Sequence, residues 1–315
     1  MNSAATWVGC ACIGLILIAI PWLGIGAERM LLINLILIYA IFAIGFDLAF
    51  GLTGLLSFGH SAMFGGGGYA LALLTIRLNW SFELALITAG LSGALIAAVI
   101  GYFALRQSGI FFALTTLAFS QLAYILASTK LRAITGGIDG ITGVPRPALF
   151  GIDFYNDYNF YAYVAILFVV FLATAALLRA SPFGQVLKGI RLNSARVEQL
   201  GWNVRRFQHL IFVISGFFSG IAGALSGALL FYVSPQMLHW STSGDVLIVT
   251  LLGGVGTLIG PVVGVGIFEV LKDELGSLTT HWYGILGVIF VFFTILLPTG
   301  AMGLFARLRQ ATSQT

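Results

Sequence analysis

Long apolar runs separated by short polar intervals dominate the chain, and their lengths set the first expectation. An α-helix rises about 1.5 Å per residue, so a hydrocarbon layer of ~30 Å takes about 20 apolar residues. Runs of that order fall near 7–27, 30–50, 60–78, 83–105, 108–128, 159–179, 207–232 and 282–299. They predict an all-α fold, a polytopic membrane helix bundle with about eight full spans. Two stretches interrupt the pattern. Gly51 to Ala70 reads GLTGLLSFGHSAMFGGGGYA, and Leu251 to Pro261 reads LLGGVGTLIGP within an apolar run from Asp245 to Leu271. Glycine at this density weakens a helix by up to ~1 kcal/mol per residue relative to alanine. Unwound backbone persists at membrane depth only where protein buries it or where it lines a cavity. Broken helices are therefore expected at Gly51–Gly68 and Gly253–Pro261.

The polar intervals decide orientation. Ser181 to Arg206 carries Lys188, Arg191, Arg196, Arg205 and Arg206 against one acid, Glu198. Basic loops stay on the cytoplasmic side, which places this segment and the tail arginines Arg307 and Arg309 inside. Span 207–232 leaves the cytoplasm, so the chain returns only if 245–271 is a re-entrant pair of half-helices with both ends outside. One full crossing with a misjudged neighbour is the alternative. The preferred reading puts both termini in the cytoplasm and Lys272, Asp273 and Glu274 outside. The same parity places 129–158 outside, a loop rich in Gly, Pro and Asp in which Lys130, Arg132 and Arg146 balance Asp139, Asp153 and Asp157. Residues 1–315 read as one transmembrane domain with a cytoplasmic segment at 181–206 and an external loop at 129–158.

Composition agrees. Of 315 residues 59% are apolar and 8% charged, where a soluble domain is about one quarter charged. The mean hydropathy is +1.02. The net charge of +4 comes from basic residues spread between apolar spans, which argues against nucleic acid as a partner and for membrane lipid. Cys10 and Cys12 stand two apart in the first apolar run, so neither a disulfide nor a metal site is expected. No Lys or Arg precedes that run, so it reads as a retained span rather than a cleaved leader.

Chemistry-bearing motifs are few. Gly54-Leu-Leu-Ser-Phe-Gly59-His60-Ser61 has the glycine spacing of a P-loop, but histidine stands where the phosphate-binding lysine belongs. The chain is thus expected to hold no nucleotide or other cofactor, and any ATP chemistry must come from a partner. His60 follows unwound backbone and either lines a path or packs as an ordinary buried histidine, the second being favoured. Asp47, the one acid read as lying well inside a clear span, is structural or lines a path. Ser215 to Ala228 repeats small residues at four-residue spacing, including Gly216, Gly220, Gly223 and Gly227, a pattern that brings helix backbones close together. No His, Asp and Glu cluster of the kind a membrane enzyme needs is present. Within the basic interval, Ser181-Pro182 is a helix N-cap with proline at the first helical position. Val186, Leu187 and Ile190 share a face, Asn193-Ser194 caps a second helix, and Gly201 suits its left-handed end. Two short surface helices are predicted.

Four blocks resemble LivM-type permease subunits of bacterial ABC importers for branched-chain amino acids: 51–70, TGGIDGITGVPRPALFGID at 135–153, SPFGQVLKGIRLNSARVEQLG at 181–201, and LLGGVGTLIGPVVG at 251–264. The resemblance implies that 181–206 holds a segment that docks on an ATPase, with Phe183, Gly184, Ile190, Arg191, Asn193, Glu198, Leu200 and Gly201 at matching positions. Leu192, Ser194, Arg196, Val197 and Leu55 depart from the usual pattern. It also implies a translocation pathway near Gly54, Ser57, Gly59, His60, Gly253 and Gly254. The implied partners are a LivH-type permease, two ABC ATPases and a periplasmic substrate-binding protein in the inner membrane system. The same machine for urea, short amides or other amino acids is the alternative. An ion-coupled secondary transporter would need buried acids on several spans, and only Asp47 is read as one.

Overall fold

The computed structural model describes residues 26–147, 152–279, 281–296 and 300–302. Nearly all of the expected first span at 7–27, both cysteines, and Arg307 and Arg309 lie outside the described residues. The chain forms α1 (Ala27–Thr53), α2 (His60–Leu78), α3 (Phe82–Ala104) and α4 (Ile110–Ile125), which a π turn extends over Leu126–Lys130. A single turn α5 (Arg132–Thr135) follows, then α6 (Asp157–Ala180), α7 (Pro182–Gln199), α8 (Val204–Leu230), α9 (Trp240–Gly253), α10 (Gly260–Leu278) and α11 (Trp282–Leu296). The architecture is all-α apart from a two-stranded antiparallel ribbon, β1 (Ile141–Thr142) on β2 (Tyr232–Val233), with Ile141 opposite Val233.

Among the described residues, five helices are long and apolar enough to cross a membrane: Glu28–Thr53, Phe82–Ala104, Ile110–Lys130, Asp157–Ala180 and Val204–Leu230. α2 and α11 occupy the expected positions of two further spans but fall outside that set. α8 is the most enclosed of the five and packs against α1, α2 and α3. Its small residues make this possible. A Cβ on Gly67 would meet the backbone of Gly220, and one on Gly223 would meet the carbonyl of Phe64. Gly216 lies against Gly93 and Ala97 of α3 in the same way. Without a water-driven hydrophobic effect between helices in lipid, such close approach gains its stability from dispersion over long contacts.

This corrects one expectation. The glycine run at 65–68 lies within α2 rather than in unwound backbone, and the break is confined to 54–59. The helix tolerates the glycines because their missing side chains admit a neighbouring backbone, and that tertiary gain outweighs the propensity cost. Gly54 ends α1 in the left-handed conformation, φ 78°, with its N–H on the carbonyl of Phe50.

α9 and α10 form an antiparallel hairpin. Gly253 approaches the carbonyl of Gly260, and Gly264 approaches that of Val249. The turn between them needs positive φ at Gly254 (116°) and Gly256 (77°), values open to glycine and strained for other residues. A second correction concerns acids. Asp47 is not alone, because Glu269 on α10 is also buried, at 4% exposure.

Candidate coupling site and the helix breaks

α7 is built as its sequence predicts. Ser181 accepts a hydrogen bond from the N–H of Gly184 at 3.2 Å, and Pro182 follows at the first helical position. The helix is interrupted at Asn193, whose backbone is extended at φ −161° and whose Oδ1 accepts from the N–H of Arg196 at 3.0 Å. Two short helices result, and Val197 of the second packs onto Gly189 of the first. Gly201 leaves the second helix at φ 87°. Asn203 then caps α8 by accepting from Arg206 N–H at 3.0 Å.

One face of this segment is held by the bundle. Leu187, Ile190 and Val197 are buried, Phe183 stacks on Phe207 with ring centres 5.4 Å apart, and Gly184 fits against the last carbonyls of α6. The other face is open. Leu192 is 87% and Leu200 73% exposed, and Arg196 and Glu198 flank them on the surface. This open face therefore presents two apolar side chains bordered by charge.

Arg191 joins the two faces. Its guanidinium donates to the carbonyl of Gly51 near the end of α1 and lies close to Gly256 in the α9–α10 turn. Beside it, Asp47 on α1 forms an ion pair with Arg179 on α6 at 2.9 Å and accepts from the N–H of Gly256 at 2.7 Å. Arg179 also donates to the carbonyl of Gly256. Asp47 is thus a structural clamp over α1, α6 and the hairpin turn. Arg179 was missed in the sequence because, one turn before the basic interval, it reads as one more topology charge.

Three N–H groups at and just after the break at 54–59 are held by hydroxyls, two of them from neighbouring helices. Thr116 on α4 accepts from the N–H of Phe58 at 3.0 Å, Ser57 from that of Gly59 at 3.1 Å, and Ser243 on α9 from that of Ser61 at 2.7 Å. Irregular backbone at membrane depth requires such partners. His60 is fully buried; its Nε2 lies 2.7 Å from Ser215 Oγ, and Phe46 and Phe212 meet its ring edge-on. Of the residues expected along a pathway, Ser57, Gly59 and His60 thus sit together among α4, α8 and α9. Gly54 and the hairpin pair Gly253 and Gly254 lie at the end that carries α7.

A polytopic helical bundle with an amphipathic two-helix segment tied to one end is the class these features define. The profile of the family described as branched-chain amino acid transport system / permease component matches residues 30–296, and the chain belongs to that family. It is similar to the high-affinity branched-chain amino acid transport system permease protein LivM of Escherichia coli K12, at 27% identity over 92% of this chain and 74% of that protein. LivM of Salmonella typhimurium matches at 27% over 91% and 73%. The permease protein LivH of the same organism matches at 26% over 84% of this chain and 91% of its own length. No solved structure matches.

Proposed function

We propose that this chain is the LivM-type permease subunit of an ABC importer that carries leucine, isoleucine and valine across the inner membrane. In this reading it works beside a LivH-type permease and two ABC ATPases, which supply ATP hydrolysis, and receives substrate from a periplasmic binding protein. The observation that carries the reading is α7, whose exposed Leu192 and Leu200 offer a docking face while Arg191 behind them grips Gly51 beside the hairpin turn. A partner that moves α7 would pull on α1 and the turn together. Phe183, Gly184 and Ile190 seat the segment, Asn193 and Gly201 shape it, and Glu198 and Leu200 meet the ATPase.

The end bearing α7 is then cytoplasmic. α9 and α10 enter from the outer side and turn back at that end, which keeps the parity of a re-entrant pair but carries its turn to the cytoplasmic edge. Gly54, Ser57, Gly59 and His60, with Gly253 and Gly254, set the breaks from which the path is built.

The test is ATP-dependent leucine uptake by the assembled complex in proteoliposomes. Arg191→Ala and Glu198→Ala are expected to abolish uptake while the subunits still insert and co-purify. Unchanged uptake by both variants would remove the coupling role, and uptake of urea or short amides in place of leucine would reassign the substrate.

A further inference from the structure

The N–H groups of Phe58, Gly59 and Ser61 at the break are occupied by Thr116, Ser57 and Ser243, and a passing solute can find polar groups at a second place. They occur where α1 faces the α9–α10 hairpin. Tyr39, Asp245, Glu269 and Lys272 line a small cavity of about 30 Å³ together with apolar residues that include Val249 and Phe268, enough space for about one water molecule.

Depth and charge give this cluster meaning. Glu269 stands nine residues into α10 and Asp245 eight residues before the end of α9. At about 1.5 Å per residue both lie roughly 12–14 Å above the hairpin turn, near the middle of a ~30 Å hydrocarbon layer. Lys272 lies about 18 Å above the turn. Its Nζ pairs with Glu269 Oε2 at 3.3 Å, and its side chain is 38% exposed while that of Glu269 is 5% exposed. Asp245 is half-buried and forms no ion pair among the described residues. One ammonium therefore stands among two carboxylates and a phenol and pairs with only one of the acids. A lysine reaching the surface and an unpaired acid at this depth do not face lipid; they face a water-filled path or a partner subunit.

We propose that Tyr39, Asp245, Glu269 and Lys272 form a polar station at mid-depth for a zwitterionic amino acid passing between this subunit and a second permease. The ammonium of the solute supplies the cation that Asp245 lacks. Its carboxylate accepts from Lys272 and the Tyr39 hydroxyl, and Val249 and Phe268 receive an apolar side chain. The small volume belongs to one wall of the path, completed by the partner. This rests on the importer reading above but commits to a location that the family resemblance does not supply.

The experiment uses the full complex in proteoliposomes, with Cys10→Ser and Cys12→Ser as background. Wild-type leucine uptake is measured first, so that failure of the importer reading shows before the station is tested. Asp245→Cys and Lys272→Cys are then exposed to a small, charged, membrane-impermeant thiol reagent, with and without leucine. Labelling that leucine slows is the expected result. No labelling, or labelling indifferent to leucine, overturns the station. A second variant, Glu269→Lys with Lys272→Glu, keeps the ion pair and reverses its polarity. A station loses uptake about tenfold or more with assembly and ATP hydrolysis retained, whereas wild-type uptake by the reversed pair would reduce the cluster to a structural contact.

Discussion

The α2–α3–α8 core and the Asp47 clamp both hold helices together, and they do so by opposite means. In the core, Gly67, Gly216, Gly220 and Gly223 bring backbones together with no charge at the contact. At the clamp, one carboxylate draws Arg179 and the N–H of Gly256 onto α1. Dispersion between close backbones is non-specific in direction but intolerant of any added atom. A buried ion pair is directional, and once broken it leaves a charge stranded. The core is thus suited to a fixed frame, and the clamp to a joint whose two sides must stay in register. The joint is also the part that touches α7, through Arg191 on Gly51.

The largest effect is expected in the core. Gly223→Val places side-chain atoms on the carbonyl of Phe64, and neither backbone has room to retreat; a loss on the order of 4 kcal/mol is expected. Thermal unfolding in detergent would show it as little or no folded protein, and a near-native transition would contradict the frame role. Next comes Asp47→Ala, which strands Arg179 and costs about 3 kcal/mol. The double variant with Arg179→Met should recover part of that loss, since no unpaired charge remains; equal loss in single and double variants would mean that the pair is not the source. Arg191→Ala should cost only about 1 kcal/mol, because the side chain is largely exposed and gives up one hydrogen bond. Its larger consequence is the uptake defect described above, so a melting shift as large as that of Asp47→Ala would blur the distinction between joint and lever. Asn193→Ala removes a cap at the kink of α7 and should cost somewhat less than 1 kcal/mol. Amide exchange confined to 193–199 would report it, and exchange spread into α8 would argue against two independent short helices.

Legibility in the sequence followed the range of the interactions. The shape of α7 was readable because Ser181, Pro182, Asn193 and Gly201 act on backbone within a turn of themselves. The small-residue face of α8 was readable for the same reason, since its spacing is local even though its partner is not. The clamp was not, because Asp47 meets Arg179 across 132 residues and Gly256 across 209. Nothing near Asp47 announces either partner. Glycine composition alone also misled. Gly65–Gly68 and Gly253–Gly256 look alike as strings, yet one run stays helical against α8 and the other turns the chain, and only the facing backbone decides. Lys272 was placed outside, and Glu269 inside the run 245–271 was not singled out, because the apolar run was measured along the chain. Their placement depends on where the hairpin turns.

The ribbon at the end opposite α7 has a consequence for biogenesis. β1 precedes α6, α7 and α8, and its partner β2 follows them. The Tyr232 hydroxyl donates to the carbonyl of Asp139, 93 residues earlier, at 3.0 Å. A nascent chain halted after α6 would leave residues 136–144 waiting without their strand. The ribbon can close only when α7 and α8 have also been made, so its closure marks a completed insertion, and quality-control proteases meeting an open loop there would be reading an unfinished chain.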